Sequence, residues 1–156
     1  LLTWGSNFAK GTVHDQLAAQ KIFFPPSGSD ALAPSEIGRY LNKYAGQQLT
    51  TGQQAEAYAN HFIAAHLLEI GGGKTYAELS ATSRQDPTNT ALQGQVATVF
   101  RGETLRGLLL NAYAFGTLGT IAGIASSVMF IAAALSLVLS LAGFRHARAV
   151  NPTAAI

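Results

Sequence analysis

Two histidines and a glutamate form the one grouping of metal-ligand residue types in this sequence. His66 and Glu69 are three residues apart and can share a helix face, whereas His61 lies about 140° round the same helix from His66. A structural zinc site takes four ligands, so His66 and Glu69 are candidates for only part of one. The pattern favours a histidine packed on a helix face beside a solvated carboxylate. We therefore expect no metal and no other cofactor.

Two patterns of enzyme active sites fail at a required position. The residues from Gly73 to Thr75 match the end of a phosphate-binding loop, but the first glycine of that motif falls on Leu68, and no hydrophobic strand precedes it. Ser80 and Ser83 lack the G-x-S-x-G pattern of a nucleophile elbow. The chain has no cysteine, which removes thiolate chemistry. The sequence offers no catalytic constellation, and we do not expect an enzyme.

Charge is scarce and unevenly distributed. Charged residues make up 12% of the 156 residues, about half of what soluble domains carry, and the mean hydropathy is +0.20. All acids and all but two bases lie between Lys10 and Arg106, where the two signs balance. Nucleic-acid binding needs lysine and arginine clustered on one face, and no such cluster occurs. We therefore expect no nucleic-acid partner.

The chain is uncharged for 38 residues, from Gly107 to Phe144. A straight helix of that length reaches roughly 57 Å, well beyond the ~30 Å hydrocarbon core, so only part of it is needed as a span. Counting back from Arg145 predicts a transmembrane segment at about 119–143, with Tyr113 and Phe115 at the far interface. The alternative, a buried helix of a soluble protein, is disfavoured because such helices rarely run this long without a charge.

The cations after this segment predict its orientation. Arg145, His146 and Arg148 follow directly, and the positive-inside rule puts them in the cytoplasm of a plasma membrane. The preceding domain is then extracytoplasmic. Leu1 to Phe8 is either the outer end of a first span or follows a cleaved signal, and Trp4 as an interfacial residue favours the span. The predicted divisions are 1–9 (outer end of a first transmembrane helix), 10–106 (extracytoplasmic helical domain), 107–144 (long apolar helix) and 145–156 (cytoplasmic tail).

The central segment is patterned for helices. Apolar residues recur at steps of three and four from about Gln53 to Ile70, with Thr51 as a cap and three glycines from Gly71 as a stop. Thr75 and Glu78 are spaced as a capping box, and Asp86-Pro87 is typical of a further helix start. No alternating strand pattern persists. The helix predicted at 53–70 has an apolar face that needs a partner surface. This face comprises Tyr58, Phe62, Ile63, His66, Leu67 and Ile70.

Small residues recur along one face of the long apolar helix. In lipid such a face lets another helix approach closely, so that packing drives their association. The partner is either the first helix of this chain or another protein. The alternative is that small residues are simply common in membrane helices. The predicted helix-packing interface comprises Ala112, Gly116, Gly119, Thr120, Gly123 and Ser127.

Five segments between Asp15 and Gly119 are distinctive: 15–25 (DQLAAQKIFFP), 44–48 (YAGQQ), 54–67 (QAEAYANHFIAAHL), 73–78 (GKTYAE) and 100–113 (FRGETLRGLLLNAY). These segments resemble an uncharacterised family of small actinobacterial membrane proteins with two spans and an extracytoplasmic helical domain. The resemblance covers most of the chain between Asp15 and Gly119, and it implies location and architecture without implying any catalytic residue.

Together these patterns predict an all-α membrane protein, with a small extracytoplasmic helical domain between a partly missing N-terminal span and a C-terminal transmembrane helix. The favoured function is a non-catalytic accessory subunit that docks on other membrane proteins of a cell-envelope complex, of the respiratory or lipid-transport type. The alternative is a membrane-anchored domain that binds or hydrolyses lipid or cell-wall material, with His61, His66 and Glu69 near its site.

Overall fold

The computed structural model describes residues 1–150 and confirms that the chain is all-helical over this range. An isolated antiparallel bridge between Phe23 and Gln48 is the only β-pairing in the described residues. The helices are α1 (Leu2–Ala19), α2 (Ser35–Leu41), α3 (Gly52–Ala57), α4 (Ala64–Ile70), α5 (Tyr76–Gln85) and α6 (Thr90–Val150), with 3₁₀ turns at Asp30–Leu32 and Asn42–Tyr44.

The predicted amphipathic helix at 53–70 is a continuous helical stretch with a π-helical segment in its middle. α3 leads into the π-helical residues Tyr58–Ile63, and these lead into α4. The Thr51 cap is confirmed: its hydroxyl accepts from the Gln54 N–H at 3.2 Å, and the Gln54 side chain accepts from the Thr51 N–H at 3.0 Å. The stop is also confirmed, because Gly72 and Gly73 have φ of 58° and 78°, which other residues rarely adopt.

Of the two helix starts predicted after Gly73, one is confirmed and the other is not. Thr75 and Glu78 form the predicted capping box of α5, with the Glu78 carboxylate accepting from the Thr75 N–H at 2.8 Å. The prediction that Asp86-Pro87 opens the next helix was wrong by one turn. Asp86 to Asn89 form a turn, and α6 begins at Thr90 because the Asn89 side chain accepts from the Leu92 N–H at 3.0 Å.

One hydrophobic core joins the N-terminal and central helices to the first half of α6. Its members are contributed by α1, by α2 and the loops around it, by the stretch from α3 to α4, and by α6 at Leu109. The largest of the fully buried side chains in the protein are Leu17, Phe24, Leu41, Leu49, Val99 and Leu109.

The helix α6 extends far beyond this core. At about 1.5 Å per residue, its 61 residues span roughly 90 Å without a break. Its N-terminal half carries α5, α4, α3 and α1 in turn, whereas every residue from Ser127 to Val150 is exposed. Among the described helices, α6 is the one long and apolar enough to cross a membrane.

Candidate functional site

A seam of close contacts joins α1 to the small-residue face of α6. The two helices are antiparallel, since each step of three or four residues towards the C-terminus of α1 matches a similar step back along α6. Thr3 meets Ser126, Ser6 meets Gly123, Ala9 meets Gly119, and Val13 meets Gly116.

Two glycines of the seam leave no room for a side chain. A Cβ on Gly119 would lie 2.9 Å from the Cβ of Ala9, and a Cβ on Gly123 would lie 2.7 Å from the Oγ of Ser6. Ser6 and Ala9 are themselves buried. The hydroxyls of Thr3 and Ser126 share a hydrogen bond of 2.6 Å at the far end of the seam. The first helix of the same chain therefore occupies the small-residue face of α6.

The predicted packing residues differ in what they touch. Gly116 contacts both α1 and the start of α3, because a Cβ on it would lie 3.9 Å from Val13 Cγ1 and 3.6 Å from Gly52 Cα. Ala112 is partly buried and packs against the core. Thr120 is half-buried, and its hydroxyl donates to the Gly116 carbonyl at 3.0 Å. Ser127 is exposed, with its hydroxyl donating to the Gly123 carbonyl at 3.0 Å.

A second close approach brings α3 against α6. A Cβ on Gly52 would lie 3.1 Å from Tyr113 Cα and 3.3 Å from the Ala112 carbonyl oxygen. Both neighbours are backbone atoms of α6, which cannot rotate away as a side chain can. The start of α3 is therefore held directly on α6, about two to three turns before Gly119 and Gly123, which hold α1.

A cleft of about 640 Å³ opens between these three elements. α1 contributes Lys10 and His14 to its wall, and no aspartate or glutamate lines it within residues 1–150. The nearest carboxylate to His14 is that of Asp15, whose Oδ1 lies 3.1 Å from His14 Nδ1. The remaining lining residues are Val13, Thr50, Thr51, Gly52, Gln53, Tyr113, Gly116, Thr117 and Thr120.

The position of Lys10 gives this cleft its charge. Its Cγ lies 3.4 Å from the place of a Cβ on Gly119, and its Nζ lies 3.9 Å from the place of a Cβ on Gly123, so the side chain follows α6 in the direction of its C-terminus. No carboxylate of residues 1–150 pairs with this amine. The sequence pattern did not single out Lys10, because only the antiparallel register of α1 brings it beside the glycines.

The predicted apolar face of the central helix lies mostly within the protein. Ile63 and Leu67 are buried, and Tyr58 and Phe62 are partly buried against the core. Burial raises the pKa of the Tyr58 hydroxyl. Ile70, at the end of α4, is 41% exposed. The partner surface of this face is thus supplied by the same chain, with Leu67 packed against Gly102 of α6.

The metal-type residues lie in another part of the fold. His66 Nδ1 donates to the Phe62 carbonyl at 2.8 Å, which leaves Nε2 free in the neutral ring. His66 and Glu69 line a cleft of about 420 Å³ together with Asp30 and Glu36. His61 is turned away and stacks on Tyr40, with ring centroids 3.4 Å apart. Within residues 1–150, no three of the ligand-type side chains are close enough to hold a metal ion.

No family model matches this chain, and comparisons with curated proteins and with solved structures found no match. Function is therefore inferred from the geometry of this chain.

Proposed function

We propose that this protein is a non-catalytic accessory subunit of a cell-envelope membrane complex, in which the exposed half of α6 crosses the plasma membrane and docks on a neighbouring membrane protein. A resemblance to small actinobacterial two-span proteins agrees with this proposal. In this proposal, residues 10–106 form the extracytoplasmic domain, the chain after Phe144 is cytoplasmic, and the part of α1 before Lys10 is the outer end of a first membrane helix.

The bare half of α6 is the observation that carries the proposal. From Ser127 to Phe144 this helix is apolar except for its serines and exposed at every residue, with Phe130 at 69% and Leu139 at 72% of full exposure. Within residues 1–150, no other element packs against it. Apolar surface of this extent is unfavourable in water, and lipid or another membrane helix covers it at no such cost.

The seam supports the proposed depth of α1. Its register sets Lys10 beside Gly119, where the predicted transmembrane segment of α6 begins. The part of α1 before Lys10 is then level with the transmembrane segment, and it contains no charged residue. Trp4 and Phe8 stack on each other there at 5.4 Å, on the side of α1 away from α6. The proposal that α1 belongs to a membrane helix rests on this arrangement.

Because α1 occupies the small-residue face of α6, a partner protein must contact other surfaces of the chain. Besides the bare half of α6, Tyr76 and Phe100 form an exposed aromatic pair with centroids 5.4 Å apart. This pair joins α5 to α6 on the extracytoplasmic domain.

Purification of the tagged full chain in mild detergent, followed by mass spectrometry, tests the proposal. We expect other membrane proteins to copurify in stable proportion, and the variant Leu135→Ser/Leu139→Ser to lose them while still inserting in the membrane. The matched control is Leu105→Ser, an exposed leucine of the same helix within the extracytoplasmic domain. Recovery of the parent chain only as a lone monomer contradicts the subunit role.

A second candidate function is favoured by the cleft beside α4. It brings His66 and Glu69 together with Asp30 and Glu36 in the extracytoplasmic domain, where lipid or cell-wall material would be the ligand or substrate. The free Nε2 of His66 is available as a base or a ligand. Unchanged function in the His66→Ala variant, together with no stoichiometric metal by elemental analysis, removes the metal-dependent form of this alternative.

A further inference from the structure

We propose that the cleft between α1, α3 and α6 binds the headgroup of an anionic phospholipid, with Lys10 as the cation that contacts the phosphate. This inference rests on the proposed membrane insertion of α6. It goes beyond that proposal because it assigns a class of ligand to the cleft, which has no part in the proposed docking between subunits.

The position of the cleft along the molecule is the first argument. It lies at the level of Tyr113 to Thr120, where α6 passes from the part that is packed by the extracytoplasmic helices to the apolar part. This is the depth at which lipid headgroups meet a transmembrane segment that begins near Gly119. Directly after the cleft along α6, the exposed side chains of Ile121 and Ile124 offer an apolar surface for acyl chains.

The charge of the cleft is the second argument. Lys10 and His14 supply its ionisable groups, and no carboxylate lines it. The Lys10 amine points towards Gly123, one turn into the predicted transmembrane segment, where an unpaired ammonium is costly. A phosphate oxygen of a lipid bound in the cleft would pair with this amine at the interface. The ammonium of a choline headgroup would instead be repelled.

The size and polar lining of the cleft are the third argument. Its volume of about 640 Å³ falls within the range of small-molecule sites and holds a glycerophosphate headgroup. The phenol of Tyr113 lies in the same wall and can donate to a phosphate oxygen. The hydroxyls of Thr50 and Thr117 already donate to Gln54 Oε1 and to the Tyr113 carbonyl, so towards a ligand they act as acceptors for the glycerol hydroxyls. The site therefore combines the positive charge of Lys10 with neutral polar groups.

Native mass spectrometry of the full chain in detergent tests the inference, with phosphatidylglycerol and phosphatidylcholine titrated in equal amounts. We expect the parent protein to retain phosphatidylglycerol preferentially, and Lys10→Gln to lower its occupancy relative to phosphatidylcholine roughly fivefold, the effect of one cation at an anionic surface. Lys10→Arg should keep the preference, which separates lost charge from lost folding. The matched control Lys74→Gln removes an exposed lysine far from the cleft and should change nothing.

The other outcomes are equally decisive. A preference unchanged in Lys10→Gln, or absent from the parent protein, overturns the inference. Displacement of bound phosphatidylglycerol by millimolar inorganic phosphate or glycerol phosphate would mean that the cleft takes free phosphate groups and not lipid. Alkaline carbonate extraction is the separate test of the proposed function: if it releases the chain from membranes, insertion fails, whereas a retained chain with unchanged lipid preference refutes only the lipid site.

Discussion

At the residue scale, the missing side chains of Gly119 and Gly123 set how closely α1 approaches α6. We predict that Gly123→Leu separates the two helices, because even its Cβ would lie 2.7 Å from Ser6 Oγ and the rest of the side chain has no space. Overpacking of this kind typically costs about 1–3 kcal/mol. The measurement is disulfide formation between Thr3→Cys and Ser126→Cys, whose native hydroxyls are 2.6 Å apart. The yield should fall severalfold in the Gly123→Leu background.

Gly143 offers a matched control for this experiment. It lies in the same helix, and a Cβ on it meets nothing within 4 Å. Gly143→Leu should therefore leave the Thr3–Ser126 crosslink at its parental yield. Equal crosslinking in the Gly123→Leu and Gly143→Leu backgrounds would show that α1 is not held by the small-residue face.

Glu78 carries the second prediction at this scale, which concerns pH. Hydrogen bonds from the Thr75 backbone N–H and then from the Thr75 hydroxyl, with a smaller contribution from Lys74, hold the pKa of Glu78 below its ordinary value of 4.5. Since the pKa is lower in the folded state, the carboxylate stabilises α5 above pH 4.5, and this contribution is lost as the pH falls through the folded pKa.

A carboxyl titration followed by NMR measures this pKa directly. In Thr75→Ala the hydroxyl donor is lost but the backbone N–H remains, so the pKa of Glu78 should rise only part of the way to 4.5. Thr82→Ala is the control, because its hydroxyl donates to the Glu78 backbone carbonyl and not to the carboxylate. A pKa that is unchanged by Thr75→Ala would remove the capping box as its cause.

At the element scale, α3 and α6 are in backbone contact at Gly52. We predict that Gly52→Ala destabilises the helical domain of residues 10–106 by about 1–3 kcal/mol, since the new methyl group meets backbone atoms of α6 at 3.1 Å and 3.3 Å. Denaturant unfolding of the detergent-solubilised chain measures the change. Gly94→Ala is the comparison, because a methyl group there meets nothing within 4 Å and should add about 0.5–1 kcal/mol of helix stability. Equal effects of the two variants would contradict the contact.

Element boundaries were predictable where a side chain caps the backbone and less so where tertiary packing decides. The cap at Thr51, the glycine stop after Ile70 and the box at Thr75 were readable because each depends on residues within one turn. The π-helical segment at Tyr58–Ile63 was not, because the apolar residues through it keep the steps of three and four that are typical of an α-helix. The start of α6 was misplaced because Pro87 suits both a helix start and a turn.

At the scale of the whole molecule, the proposed topology predicts which ends of α6 face which compartment. Ser27→Cys lies on an exposed loop of the domain that we propose to be extracytoplasmic, and Ala149→Cys lies on the exposed end of α6 after Arg148. An impermeant maleimide should label the first in intact cells and the second only after lysis. Labelling in the reverse order would overturn the orientation, and the absence of native cysteine keeps the background low.

The sequence predicted one part of the candidate site, the close contact on α6, and did not predict the other, the cleft around Lys10. Spacing alone favoured a close helix contact at Gly119 and Gly123, because small residues at steps of four let the backbone of another helix approach an apolar helix closely. It left open whether α1 or another protein fills the groove, and in the structure α1 does so. The cleft around Lys10 was not predictable. It depends on α1, α3 and α6 meeting at one level, and these elements are distant in sequence.

The uninterrupted course of α6 also restricts how the length of this chain can change. Each residue added to an α-helix turns everything beyond it by about 100° and advances it by about 1.5 Å. Leu109 is fixed in the core, so an insertion between Leu109 and Gly116 would rotate Gly119 and Gly123 away from α1. It would also rotate the exposed half of the helix relative to the rest of the protein. An insertion after Ser127 would alter no contact in residues 1–150. Natural length variation in α6 is therefore expected near its C-terminal end, while the stretch between core and seam keeps a fixed number of residues.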